Sequence, residues 1–371
     1  MNLFNKYDWD TMLSQFPLQQ YDISQYHKIL CEDYPSFLDK YIKLPILQRL
    51  KGVGLLCGTD WTKLYNNRIY YSRLDHSIGV ALIIWNFTHD KAQTISGLLH
   101  DVSTPVFSHV SDFRKGDALT QTATEESNTS IVRNCKELIT LLKEDNLTVE
   151  QVEDYHIYPI ADNEIPSLSA DRLEYMFPSG MALDGSWTMD EVRNCYKDVT
   201  VLTNETGLLE LGFKTVEIAE LYCYRFCMIG HILQLNENKL TLHLLGQIMN
   251  KADELGLFNE SDFMTLSEKE IINKLDNSLI NTIEELKGEK KYLSRLYNTF
   301  RNMTHIEHTD KPLDSSKYFS ISLNVKLRYI NPLVKYNGKD MRLNEVSEKA
   351  NKIITDFLNY KDSLYGCVKL I

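Results

Sequence analysis

From about residue 40 to residue 300 the apolar side chains recur at helical spacing, and only one stretch near the C-terminus alternates residue by residue. That contrast predicts a mainly α fold, a helical bundle, with a small α+β region appended. Ile42, Leu44, Ile46, Leu47 and Leu50 mark a helix that Gly52, Gly54 and Gly58 break. Ser77–Phe87 reads as a buried helix, and Asp90-x-x-Gln93 is a capping box for a helix running to Leu99. A polar surface loop is expected over Lys115–Thr129, then one helix over Ser130–Lys143. Asp171 opens a short helix that Pro178 and Gly180 are expected to end. Helices follow over Thr215–Leu235, over Lys239–Leu255 and, after the Ser267-x-x-Glu270 box, onward to about Phe300. In Phe319–Arg328, apolar and polar residues alternate as in a strand with one wet face; Asn337-Gly338 suits a hairpin turn and Glu345–Tyr360 an amphipathic helix. The expected division is a helical domain over 1–300, with its motifs in 45–180, and a small α+β region over 301–371.

Several function classes are excluded early. Ile78–Phe87, the best apolar run, is half of the roughly 20 residues that span a bilayer. The opening MNLFNKYDWD lacks a basic and then apolar leader, so a cytoplasmic location is expected. A net charge of −11 argues against a nucleic-acid-binding surface, yet leaves room for a local basic pocket. The seven cysteines are scattered and form no disulfide framework; Cys223 and Cys227 share a helical face, where buried core thiols are the expectation over a shared metal. Neither a phosphate-binding loop ending in Gly-Lys-Ser/Thr nor a G-x-S-x-G elbow is present.

Two His-Asp dipeptides remain. Asp90 of His89-Asp90 is already the N-cap of a helix, which makes that pair structural. His100-Asp101 instead closes the helix, where an imidazole and a carboxylate can project together between helices.

Four segments resemble the HD-domain metal-dependent phosphohydrolases. SRLDHSIGV at 72–80, LLHDVSTPVFSHVSD at 98–112, ADRLEYM at 170–176 and PILQRLKGVG at 45–54 match that family's motifs in order and spacing. The branch most similar is the deoxynucleoside triphosphate triphosphohydrolases. The resemblance implies a helical fold with His76, His100, Asp101 and Asp171 as metal ligands. It also implies that Arg73, His109, Arg172 and Tyr175 face substrate phosphates, a role suited to cationic and hydrogen-bond-donating groups. Two imidazoles and two carboxylates around one divalent ion (Mn, Fe, Ni, Zn or Mg) leave positions open for water and substrate. The expected activity is hydrolysis of a nucleotide, dNTPs included, or a related phosphate ester by metal-activated water. A homo-oligomer is the expected assembly.

The departures from the branch pattern are specific. Thr104 and Thr124 stand where the branch has histidines suited to proton transfer, so Asp112, His109 and Glu125 (or Glu126) become the candidates for that task. Leu55 and Ser179 replace a Gln and an Asp that read the sugar, which weakens the expectation of a deoxyribose. The alternatives are a catalytically degenerate protein binding metal or nucleotide in a regulatory role, and an oligomeric scaffold whose C-terminal region binds a partner.

Overall fold

A computed structural model describes residues 1–14, 21–119, 127–280 and 287–371. The elements used below are, in chain order, α1 (Arg73–Thr88), α2 (Lys91–Leu99), α3 (Val110–Arg114), α4 (Ala170–Ala182), β1 (Val199–Thr203), β2 (Leu209–Phe213), α5 (Val216–Gln234), α6 (Asn236–Glu254), α7 (Glu268–Leu275), α8 (Gly288–Asn302), β3 (Glu307–Thr309), β4 (Tyr318–Ile321), β5 (Leu333–Tyr336), β6 (Lys339–Arg342), α9 (Glu348–Asn359) and β7 (Tyr365–Lys369). The fold is mainly α with small sheets, as expected from the apolar spacing.

Helix α1 is apolar on most of its circumference and is therefore enclosed, with Val80, Ala81, Ile83 and Ile84 fully buried. A reciprocal Ser72–Asp75 box starts it, and His89 ends it in the left-handed region at φ 51°. Asp90 then caps α2 by accepting from the Gln93 N–H. Two glycines set how closely the neighbours of α1 approach. A Cβ on Gly97 of α2 would lie 2.3 Å from Ile84 Cδ1, and one on Gly79 of α1 would lie 2.4 Å from Glu174 Oε1 of α4. Helices α2 and α4 thus hold α1 between them.

Three local expectations are corrected. Pro178 and Gly180 do not end α4, which continues to Ala182. Proline removes only the bond to the carbonyl four residues back, and that carbonyl, Glu174 O, accepts from Tyr26 Oη instead at 3.2 Å. Gly180 is small because Trp187 and Ser186 press on it. The helix expected over 130–143 is two, Asn128–Asn134 and Lys136–Glu144, with Cys135 extended between them. An unbroken helix would turn Val132 about 120° away from Leu138, whereas the break buries both. The strand expected over Phe319–Arg328 is paired only to Ile321, which faces Gly366 near the start of β7; beyond it no strand partner exists among the described residues.

The sheets were only half legible. β5 and β6 form the hairpin that Asn337-Gly338 announces, with both turn residues at positive φ (49° and 77°). β1 and β2 form a second hairpin, and β5 joins β2 in parallel, giving the order β1-β2-β5-β6. β3-β7-β4 is an antiparallel sheet. Between them, residues 322–332 cross the bundle over α5. Gly230 permits this passage, because a Cβ there would lie 2.3 Å from Arg328 O. Cys223 and Cys227 are buried, and Cys223 Sγ donates to Ile330 O at 3.5 Å, in keeping with core thiols.

Candidate metal centre

His76 lies on the first turn of α1, His100 and Asp101 follow the last turn of α2, and Asp171 lies on the first turn of α4. Packing those three helix ends together converges the side chains. His76, His100 and Asp101 each offer a ligand atom within 4.8 Å of the others. Asp171 Oδ1 lies 3.1 Å from His76 Nε2 and 3.7 Å from His100 Nε2. The two Nε2 atoms are 3.1 Å apart, and Asp101 Oδ2 is 3.8 and 3.6 Å from them.

The surroundings aim these atoms. His76 Nδ1 meets the fully buried Glu174 Oε2 at 2.5 Å, and Glu174 Oε1 accepts from Tyr71 Oη at 2.6 Å. His100 Nδ1 donates to Gly97 O at 2.6 Å. With both Nδ1 atoms engaged by acceptors, each ring turns Nε2 into the cluster, the atom available to a cation once it is deprotonated. Asp101 Oδ1 accepts from Thr104 Oγ1 at 2.7 Å, and Oδ2 accepts from Arg73 Nη1 at 2.9 Å. Arg49, from the upstream PILQRLKGVG helix, donates to Val102 O and Thr104 O, fixing the loop behind the pair. Two imidazoles and two carboxylates held this way fit a divalent cation.

The charges of the site follow from burial and these contacts. Burial opposes charging of His76, but Glu174 and Asp171 outweigh it and raise its pKa to about 10. Asp101 resists the opposite pull of burial because Arg73 and the two histidines hold it well below the usual carboxylate range. His109 is pushed down by burial, with Arg328 and Arg73 adding to the effect against its hydrogen bond to Asp112. It is therefore neutral near pH 7.

The centre opens on a cavity lined by Arg73, His109, Arg172, Tyr175 and by Leu55, Ser179, Lys326 and Arg328, among others. Arg73 is buried against Asp101 and also donates through Nε to Ser108 Oγ at 3.0 Å. Arg172 is tied to Ser167 O, to Asn163 and to Asp162, 3.2 Å away. His109 Nδ1 lies 2.9 Å from Asp112 Oδ2, and Asp112 is wholly buried beneath it. Phe107 and Ser108, preceding His109, both take positive φ (61° and 51°), a costly conformation for residues with a Cβ. Thr124, Glu125 and Glu126 lie outside the described residues.

Three contributors escaped the sequence reading. Glu174 is three residues after Asp171, hence on the same helical face, and that spacing was the available signal. Lys326 and Arg328 had no such signal, since their stretch reads as the wet face of a strand. Arg328 hydrogen-bonds the Tyr175 side chain.

No protein-family model matches the chain. An uncharacterized protein of Bacillus subtilis, YdhJ, is 25% identical over 321 residues, 85% of this chain and 89% of that one. Among solved structures, a phosphohydrolase from Bacteroides thetaiotaomicron superposes with a TM-score of 0.58 at 14% identity, over 90% of this chain and 95% of the other. A hypothetical protein from Aquifex aeolicus gives 0.57 at 14% identity, over 91% and 92%. At these identities the likeness shows the fold alone.

Proposed function

We propose that this protein is a metal-dependent phosphohydrolase of the HD type, cleaving a nucleotide, dNTPs included, or a related phosphate ester. The observation that carries the reading is the His76–His100–Asp101–Asp171 cluster opening on a cavity with cationic walls. A divalent cation held by these four side chains would polarise a phosphoryl oxygen and activate water for attack at phosphorus. Lys326, Arg328 and Tyr175 line the cavity and would donate to phosphate oxygens, with Arg73 and Arg172 adding positive charge to its wall. Asp112 holds His109 through Nδ1, leaving Nε2 as the atom that exchanges a proton in the cavity. Glu125 is proposed as a second relay. Leu55 gives the cavity an apolar wall where a polar sugar reader is expected, which supports a substrate other than a plain deoxynucleotide.

One observation favours a binding protein without turnover: Thr104, which replaces a candidate proton shuttle, is committed to Asp101 at 2.7 Å. Elemental analysis of the purified protein, joined to a phosphate and triphosphate release screen over nucleotides and simple esters, separates the readings. Turnover that disappears in His100→Ala and Asp101→Ala supports hydrolysis. A metal-loaded protein that binds nucleotides and releases nothing across the panel overturns it.

A further inference from the structure

A second group of ligand-type side chains lies apart from the centre just described, on other elements. Glu237 is in the first turn of α6, His308 is the middle residue of β3, and Asp362 lies in the loop between α9 and β7. Each offers one ligand atom, all within 4.8 Å of one another. His308 Nε2 is 2.8 Å from Glu237 Oε1, and Nδ1 is 3.2 Å from Asp362 Oδ1 and 2.9 Å from Ser363 Oγ. Asp362 is held from behind, where Oδ2 accepts from the Asn236 N–H at 2.6 Å.

An ion pair between His308 and the two carboxylates accounts for these contacts but not for two buried oxygens. Glu237 is 4% exposed, and its Oε2 has no hydrogen-bond partner; Asn236 is 1% exposed, and its Oδ1 has none. Asn236 spends its amide N–H groups on Ser363 O and Oγ. An unsatisfied buried acceptor is costly, and for a carboxylate oxygen the cost is larger. Lys239, near both carboxylates, balances part of their charge. A cation bound by Glu237 Oε2 would satisfy the costlier of the two, the carboxylate oxygen.

We propose that Glu237, His308 and Asp362 form a second divalent-cation site, of the imidazole-and-carboxylate kind that zinc and manganese favour. Its role is a staple. It ties β3 and the loop ahead of β7 to the start of α6, one residue before Asn238, which lines the cavity and accepts from Tyr65 Oη at 3.1 Å. His308 is 39% exposed, so the cation has a way in.

Zinc content measured after desalting from excess Zn²⁺ tests this without reference to the first centre. The full-length His100→Ala/Asp101→Ala protein should keep one zinc per chain and lose it when His308→Ala or Glu237→Gln is added. Retention of none in the double variant, or of zinc that is indifferent to His308 and Glu237, overturns the proposal. Should those variants fail to fold, zinc-edge anomalous diffraction from crystals of the unaltered protein decides. A peak between Glu237 and His308 supports the site, and its absence at saturating zinc refutes it. Failure of the hydrolase reading would leave the His308-dependent zinc untouched.

Discussion

Glu174 is fully buried on α4 and divides its two oxygens between Tyr71 and His76. A carboxylate behind a ligating imidazole fixes its tautomer and raises its basicity, and losing such a group typically costs 10–100-fold in metal affinity. Glu174→Gln is therefore expected to weaken metal binding by roughly that factor while every ligand stays in place. Competition with a chelator of known affinity measures it, and an unchanged affinity would show that His76 needs no such support. Arg328 is the matching case for the proposed phosphate-ester substrate. Arg328→Met keeps an unbranched apolar stem and removes a charge-assisted contact of about 1.5–3 kcal/mol, so KM for a phosphate ester should rise roughly 10–100-fold. A rise confined to kcat would place Arg328 elsewhere in the reaction. These two residues also mark the limit of reading at this scale. Glu174 belongs to the ADRLEYM segment and its spacing from Asp171 was readable, whereas nothing near Arg328 in the chain announces the cavity.

Among the elements, the contact between α1 and α4 decides whether the ligands converge. Gly79 is the residue that lets the helices meet, with the Glu174 side chain lying against its backbone. Gly79→Ala would insert a methyl group within 2.7 Å of Glu174 Cγ, and overpacking of this kind costs about 1–3 kcal/mol. The expected outcome is a lower Tm together with reduced metal occupancy, although no ligand has changed. Full occupancy at the lower Tm would separate the helix contact from the centre. Helix starts were legible here because caps are local: Asp90, Ser267 and the Asn337-Gly338 turn each act within four residues. The passage of α4 through Pro178 was not, since the hydrogen bond that replaces the lost one comes from Tyr26, far away in the chain. The β1–β2 hairpin has its local signal in the alternation of Val199, Val201, Leu209, Leu211 and Phe213 around a turn ending in Gly207, a short pattern set between long helical ones.

For the molecule as a whole, pH should act on stability through Asp184. This residue is fully buried, accepts from the Ser186 N–H at 2.9 Å through Oδ1, leaves Oδ2 without a partner, and has its pKa raised by burial to about 6. The folded state therefore keeps the proton to higher pH than the unfolded chain, where an aspartate titrates near 3.9. Its contribution is fully present below about pH 4 and is lost as pH rises through about 6, on the order of 3 kcal/mol by linkage. Asp184→Asn keeps the Oδ1 acceptor and stays neutral. Relative to the unaltered protein it should gain stability in urea unfolding between pH 4 and pH 8, and an identical difference at both pH values would rule out Asp184 as the source.

The sequence by itself determined the helical character and the residues that converge in the His/Asp cluster. Helical spacing, caps and the His-Asp motif are short-range patterns, and burial of apolar faces enforces them locally. Only the tertiary structure decided what surrounds the cluster. Lys326 and Arg328 reach the cavity because β4 ends at Ile321 and the chain crosses α5 at Gly230. Asp101 is bound by Arg73, which precedes it by 28 residues, because loops closed by Arg49 and Ser108 bring the two together. Such contacts join residues distant in the chain, and they form only where the close packing of helix on helix leaves a single place for each side chain.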